Sequence, residues 1–444
     1  MEEKNSILSK RKNFFISTYG CQMNVNDSER MSCLLEMTGW VKVPQPEMSD
    51  LILINSCSIR EKPVHKVHSE VGRYKYLKNK NPYLKIGVSG CVAQQERSRL
   101  LKQLPLLDFV LGTDAIDELP EVLSRLENED REVVSVQQKT QDPYHIKTLI
   151  GDPGVSTFVN ISKGCDNFCT FCVVPFTRGR ERSRPLVHLI EDIQSLTKRG
   201  VKEVTLLGQN VNSYQSPCGA NFSRLLENLA LHTDIQRIRY TTSHPKDFNE
   251  ELVDTMQKYR NKIMDFIHLP VQSGNDKVLK DMNRGYTREE YIEKAYMILE
   301  KVPGSVLSTD IIVGFPGETE EAFEDTLSLL DKVPYEMIFS FKYSSRPFTK
   351  AKSFKNQVLE EVKSNRLKRL QKKHKKLAFS LVEKYKGAVL KVLVEKQDCK
   401  TKLFVGRSTQ NKLVYFEGIK EDIGQIVPLK ISHLNISTCY GKKI

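Results

Sequence analysis

The sequence predicts an α/β protein in three successive parts: an N-terminal doubly wound parallel sheet, a central partial (β/α)6 barrel and a small C-terminal antiparallel β-barrel. Three observations predict it. Short apolar runs alternate with helical patterns from residue 12 to about 345, as in parallel strands joined by crossovers. The alternation lapses only over 127–148, a polar stretch containing a proline, which reads as a linker. Past a basic helical connector at 356–386, the chain turns to short strands broken by Gly and Asn. A length of 444 residues also exceeds the ~250–300 at which one core stops growing, so two or three domains are expected.

In the first part FFISTYGC, LILINSCSI, KIGVSGCV and FVLGT read as strands, with helices expected over 26–39, 63–77, 93–103 and 115–125. In the second, STFVNISKG, VKEVTLLGQN, IQRIRYTTSH, FIHLPVQSG, SVLSTDIIVGF and IFSFKYSS read as six strands, too few for a closed eight-fold barrel. In the third, KGAVLKVLVEK, LFVGRS, LVYFEG, IGQIVPLKIS and LNISTCYG read as the strands of a small barrel. The domains are therefore expected at 12–128, 151–383 and 384–444.

With 39% hydrophobic and 28% charged residues, the chain has an ordinary globular composition. No run approaches the ~18 apolar residues of a membrane span. The start, MEEKNSILSKRKNFF, lacks the apolar stretch of a secretory signal, so a cytoplasmic location is expected. Ten cysteines are too sparse here for a disulfide scaffold and are expected as thiols or metal ligands. The net charge of +13 is carried entirely by the C-terminal quarter, where residues 346–444 hold 24 Lys and Arg against 8 Asp and Glu. Such a tail points to a polyanion, nucleic acid first. A merely solvated basic helix accounts for Lys363–Lys376, with eight basic residues and no acid, but less well for a bias that continues to Lys443.

The strongest chemical signal is GCDNFCTFC, a C-x3-C-x2-C run at Cys165, Cys169 and Cys172. Three thiolates in eight residues can hold three irons of a [4Fe–4S] cubane and leave the fourth iron open to a substrate. In this spacing that ligand is expected to be S-adenosylmethionine, through its amino and carboxylate groups. A zinc knot is the weaker reading, since the next Cys or His after Cys172 is His188. At the expected strand ends stand Gly208, Gln209 and Asn210, then Ser243 and His244, then Gln272, Ser273 and Gly274, then the Gly314–Gly317 loop. Gly208, Gln209, Asn210, Ser243, Gln272, Ser273 and Gly314 are candidate cofactor contacts. Asn210, Ser243 and His244 equally suit turns, and Glu318 and Thr319 suit a helix start.

Cys21, Cys57 and Cys91 each close an apolar strand run in the first part, 36 and 34 residues apart. Loops beyond the C-terminal ends of parallel strands share one edge of the sheet, so these thiols are expected to converge on a second three-cysteine cluster. Buried cysteine as a small apolar residue is the bland alternative, and it suits Cys33. Cys218, Cys399 and Cys439 receive no role. Asn24 and Asn55 beside the strand ends either line a substrate path or satisfy turns.

With both triads in view, the chain resembles the methylthiotransferase family of radical-SAM enzymes over about 12–444. The resemblance rests on TYGCQMN, NSCSIREK, GCVAQQE, GCDNFCTFCVVPFTRGRERSR, LLGQNVNSY, TTSHP, LPVQSG and DIIVGFPGET. It implies an N-terminal cluster domain, a radical-SAM core and a C-terminal TRAM barrel that grips RNA. Val173-Val174-Pro175 and the series Arg178, Arg180, Arg182 and Arg184 favour the branch acting on isopentenyl-adenosine. Alternation at i, i+2 in an extended segment is expected to put those arginines on one face, for phosphate or salt bridges. At Phe348 the family usually has Gly, so a differently shaped loop is expected there.

The resemblance further implies two [4Fe–4S] clusters, at Cys21/Cys57/Cys91 and at Cys165/Cys169/Cys172, and S-adenosylmethionine as cofactor. The implied reaction places a methylthio group on C2 of N6-isopentenyl-adenosine beside the tRNA anticodon. A carbon with no leaving group or acidic proton calls for radical chemistry. Partners are the tRNA anticodon loop and unidentified electron and sulfur donors, with no membrane, for a monomer. Lys384, Lys386, Arg407 and Lys412 are expected to meet phosphate. The rival readings are methylthiolation of threonylcarbamoyl-adenosine in tRNA or of a ribosomal protein, and a non-enzymatic zinc RNA-binding protein.

Overall fold

The computed structural model describes residues 11–58, 61–128, 133–138, 144 and 147–444. The readings that rest on residues 1–10, on Ile59 and Arg60, and on much of the 127–148 linker lie outside the described residues. The chain forms two compact units. One holds the described residues up to 141 together with Thr148–Gly151 and Val173–Gly179; the other holds Asp152–Cys172, Arg180–Ile444 and the short stretch 142–147.

The first unit is a six-stranded sheet of β1 (Asn13–Tyr19), β2 (Val41–Lys42), β3 (Leu51–Ser56), β4 (Lys85–Gly90), β5 (Phe109–Leu111) and β6 (Val133–Ser135). Its order is β2-β1-β3-β4-β5-β6 and every pairing is parallel. All six residues of β3 are buried, as a central parallel strand covered on both faces requires. Ile52 and Ile54 join Ile86, Val88 and Val110 in one core, while Leu51 and Leu53 join Phe14, Phe109 and Leu111 in another. Successive side chains of a strand point to opposite faces, so these two cores are the two helix-covered layers of a doubly wound sheet. Each fully buried Ile or Leu contributes roughly 1.5–3 kcal/mol. β6 falls inside the stretch read as a linker; three residues with a single buried side chain give too short a pattern to stand out.

The second unit begins with β7 (Ser156–Asn160) and the short antiparallel pair β8 (Ser162–Lys163) and β9 (Arg182–Ser183). β10 (Glu203–Leu207), β11 (Arg237–Tyr240), β12 (Phe266–His268), β13 (Val306–Val313) and β14 (Tyr335–Lys342) follow, alternating with helices. They form two parallel three-stranded sheets, β11-β10-β7 and β12-β13-β14. A parallel bridge between Ile238 and Ile263 lies at the seam. Residues of all six main strands share one core, from Val159 through Val204, Ile238, Ile267 and Leu307 to Tyr335. β7 and β14 are not paired with each other in the described structure, so the barrel is partial, as the six predicted units require.

The same unit ends in a closed barrel of β15 (Val389–Gln397), β16 (Phe404–Ser408), β17 (Leu413–Phe416), β18 (Ile426–Leu434) and β19 (Thr438–Lys443), ordered β15-β16-β17-β19-β18. Neighbours are antiparallel except β17 and β19, which run parallel and so depart from a wholly antiparallel barrel. Buried Arg237 and Arg239 on β11 donate to the carbonyls of Lys391, Arg407, Ser408 and Thr409, at 2.6–3.1 Å. Glu203, 2.9 Å from Arg239, supplies the counter-charge. Among the described residues, no helix is long and apolar enough to cross a membrane.

Candidate metal centres

β1, β3 and β4 are neighbours, and one cysteine stands at the C-terminal end of each. Cys21 caps the helix Gln22–Met37, Cys57 follows β3 directly, and Cys91 opens the helix Cys91–Glu96. The glycines before two of them are sterically required. Gly20 has φ +135°, and a Cβ there would lie 2.3 Å from Cys57 Cβ; at Gly90, φ +87°, it would lie 2.3 Å from Asn55 Oδ1. The bare backbone thus lets the Cys21 strand end close on Cys57, and the Cys91 strand end close on the Asn55 amide.

Hydrogen bonding with Cys57 brings both Cys21 and Cys91 down to about 6, against burial and with help from the Arg178 charge. Cys57 itself is pushed up, by the same bonds and then by burial. Thiolate is the form that binds iron. The Cys21 thiol also donates to Asn24 Oδ1 at 3.3 Å. Asn24 Nδ2 donates to Asn55 Oδ1 at 2.9 Å, and Asn55 Nδ2 to the Asn24 carbonyl and Ser28 Oγ at 2.8 and 2.9 Å. The two asparagines are thus occupied in holding the strand ends.

Arg178 is the residue that sequence reasoning misplaced. It ends the helix Val174–Arg178, which belongs to the first unit. Its Nη2 lies 2.8 Å from Asp27 Oδ2 with side chains only 3% and 9% exposed, and it also hydrogen-bonds the Cys91 thiol. The chain turns at Gly179, φ +77°, so the arginine series does not share one face. Arg180 pairs with Asp166 at 2.6 Å over the Phe168 ring, Arg182 is buried against Tyr144, and Arg184 pairs with Asp192 at 2.6 Å.

In the second unit β8 and β9 close the base of the loop that carries Cys165, Cys169 and Cys172. All three cysteines are half-buried. Burial pushes the Cys165 thiol up to about 11, against a backbone hydrogen bond at Asn167. The loop is stapled from several sides. Gly164 N–H donates to the Gln209 side chain, Thr170 bonds Asp281 and Met282, and Asn283 Nδ2 donates to the Asn167 and Phe168 carbonyls. Buried Arg284 donates to Cys169 Sγ at 3.3 Å and to the Pro270 carbonyl at 2.8 Å. Among the described residues no three His, Cys, Asp or Glu side chains close around a single ion. Three thiols at one sheet edge, and three in one loop, match the ligand number of a cubane with one open iron.

The predicted cofactor contacts divide. Gln209 holds the cysteine loop, as above. Asn210 is buried and bonded to Asp247 at 2.6 Å and to His244 N–H at 3.1 Å. Ser273 Oγ lies 3.4 Å from Thr326 Oγ1 and accepts from Asn275 N–H. Gln272 adopts φ +74° and bridges to β13 through its backbone. Gly314, φ +71°, donates its N–H to Glu318, which pairs with Arg366 at 2.7 Å. Thr319 caps the helix Glu320–Lys332. Ser243 is different: its Oγ is buried with no partner among the described residues. So are Ser162 Oγ, His244 Nε2 and both amide atoms of Asn212. All stand beyond the ends of the adjacent strands β7, β10 and β11, and a Cβ at Gly208 would meet Ser162 Oγ at 2.6 Å. Glu181, raised to about 7 by burial, accepts from Ser213 nearby. Bare donors and acceptors without partners suit the amino-acid and ribose groups of S-adenosylmethionine.

The expected phosphate contacts are largely engaged within the protein. Lys384 and Lys412 both pair with buried Glu336 at 2.7 Å, and Arg407 pairs with Glu395 at 3.2 Å. Only Lys386 of the four is exposed with no such ion pair in the described structure. Phe348 has φ +67° and is 60% exposed, so a residue that bears a Cβ holds a left-handed backbone in this loop.

Three family models match the chain: Radical SAM superfamily over 159–330, Uncharacterized protein family UPF0004 over 13–112, and TRAM domain over 383–442. The chain is 58% identical to tRNA-2-methylthio-N(6)-dimethylallyladenosine synthase of Bdellovibrio bacteriovorus, covering 97% of this chain and 95% of that protein. It is 44% identical to the protein of the same name from Carboxydothermus hydrogenoformans, covering 95% and 97%. In fold it is similar to a radical S-adenosylmethionine methyltransferase from Kitasatospora setae with cobalamin and a [4Fe-4S] cluster bound, at TM-score 0.55, 13% identity and 77% of each chain. A cobalamin-dependent S-adenosylmethionine radical enzyme matches at TM-score 0.53 and 12% identity, over 89% of this chain and 64% of that one.

Proposed function

The chain belongs to the tRNA-2-methylthio-N(6)-dimethylallyladenosine synthase family of radical-SAM methylthiotransferases, and on that footing we propose how its residues install a methylthio group on C2 of N6-isopentenyl-adenosine beside the tRNA anticodon. When bound, a [4Fe–4S] cluster and S-adenosylmethionine supply a radical able to act on an unactivated carbon, and a second cluster supplies a site for the sulfur. Cys165, Cys169 and Cys172 hold the first cluster, and Arg284 fixes the sulfur of Cys169. Ser162, Asn212 and Ser243 bind the polar groups of S-adenosylmethionine, with Glu181 among them. Cys21, Cys57 and Cys91 hold the second cluster, and the Arg178 cation offsets the charge of their thiolates.

The observation that carries the reading is the second triad: three thiols at three adjacent strand ends, with Gly20 clearing space against Cys57 and Gly90 against Asn55. A radical cofactor alone fits many reactions. A second open cluster in a chain that ends in a basic barrel fits sulfur insertion into RNA. Sulfur and electrons come from donors outside the chain, in the cytoplasm where tRNA is found. Mass spectrometry of tRNA nucleosides from cells lacking the protein tests the substrate. Loss of 2-methylthio-isopentenyl-adenosine with accumulation of isopentenyl-adenosine is expected; an unchanged 2-methylthio-isopentenyl-adenosine level would overturn the assignment.

A further inference from the structure

On the outside of the C-terminal barrel, three aromatic rings form a row across three neighbouring strands. Tyr415 of β17 is directly opposite Tyr440 of β19, and Tyr440 is directly opposite His433 of β18. The tyrosine rings are stacked, with centroids 5.7 Å apart, and His433 lies 6.1 Å from Tyr440. Strand alternation explains why they point outward, since Val414, Phe416, Cys439, Leu429 and Ile431 fill the barrel core from the same strands. A break in register between Ile431 and His433 turns His433 out beside exposed Ser432, as bulges do when they re-aim a side chain. Tyr440 is 37% exposed. One step along the same face, exposed Lys430 and Lys442 stand opposite each other, and neither has an acidic partner among the described residues.

Stacked rings held at a surface, with unpaired cations beside them, are the elements of a single-stranded nucleic-acid site. Every base has a π-face to stack, and the backbone follows the cations. Unpaired cations at this point also matter because Lys384, Arg407 and Lys412 are engaged in ion pairs. We propose that Tyr415, Tyr440 and His433 are a stacking platform for unpaired bases of the substrate RNA, with Lys430 and Lys442 holding its phosphates. The platform rests on the reading of tRNA as substrate and adds where its loop docks.

The test is binding of a fluorescent anticodon stem-loop carrying isopentenyl-adenosine to the full-length enzyme, followed by anisotropy. Stacking on an aromatic ring is removed in Tyr415→Leu with Tyr440→Leu, and affinity should fall by about five-fold to a hundred-fold. Tyr415→Phe with Tyr440→Phe keeps the rings and should bind within about two-fold of the parent. Lys430→Gln with Lys442→Gln should flatten the salt dependence, by about 0.7 in the log–log slope for each phosphate left without a cation. In turnover, the Leu variant should raise KM for the RNA. A folded Leu variant that binds as tightly as the parent, or an unchanged salt slope in the Lys variant, overturns the platform alone. A parent enzyme that does not bind the stem-loop overturns the RNA-substrate reading with it.

Discussion

Arg178→Met removes one side of a buried ion pair and leaves the other in place. The two side chains are 3% and 9% exposed at 2.8 Å, and Met keeps part of the stem volume while leaving the Asp27 carboxylate without its counter-charge. Breaking such a pair from one side costs about 3–5 kcal/mol. A typical domain is held by only roughly 5–15 kcal/mol, so the loss is a large share of the total. The chain has a single tryptophan, Trp40, packed against the first unit's core, so its fluorescence in a urea titration follows that unit. With a slope of about 2 kcal/mol per molar, the midpoint should fall by about 2 M. Adding Asp27→Asn removes the stranded charge, and the double variant should be about 2 kcal/mol more stable than the sum of the two single losses predicts. A loss below about 1 kcal/mol for Arg178→Met, or strict additivity in the double variant, would show that the two side chains do not depend on each other.

Glu181 is raised to about 7 by burial, from 4.5, so its contribution to stability is fully present below about 4.5 and is lost as pH rises through 7. Glu181→Gln should flatten that fall, and thermal unfolding between pH 5 and 8 checks it. Phe348→Gly relieves a left-handed backbone at an exposed side chain and should raise stability by about 1 kcal/mol, measured by chemical denaturation. Arg239→Met leaves Glu203 buried without its closest cation and frees two carbonyls of the C-terminal barrel. It should expose the Ser408–Thr409 turn to faster amide exchange, read by mass spectrometry; unchanged exchange there would show that the barrel is held by other contacts.

The sequence made both cysteine triads legible for different reasons. Cys165, Cys169 and Cys172 form a local motif, readable without any fold. Cys21, Cys57 and Cys91 became a candidate site only through the rule that parallel strands share one ligand edge, and β1, β3 and β4 are neighbours in one parallel sheet. Arg178 was not legible, because the helix Val174–Arg178 packs in a unit that its place in the sequence does not indicate. Charge counting sees Lys384, Arg407 and Lys412 as cations, but not the buried Glu336 or the neighbouring Glu395 that engage them. Ser162, Asn212 and Glu181 carry no motif, and what marks them is burial without partners or a raised carboxyl, properties that exist only in the fold.

The proposed mechanism stands on two cysteine triads doing two different tasks. Cys57→Ala in the anaerobically reconstituted enzyme separates them, with 5′-deoxyadenosine and methylthiolated tRNA measured in one reaction. The variant should keep about four of about eight irons, still yield 5′-deoxyadenosine and make no methylthiolated product. A Cys57→Ala enzyme that still methylthiolates tRNA would contradict the division of tasks.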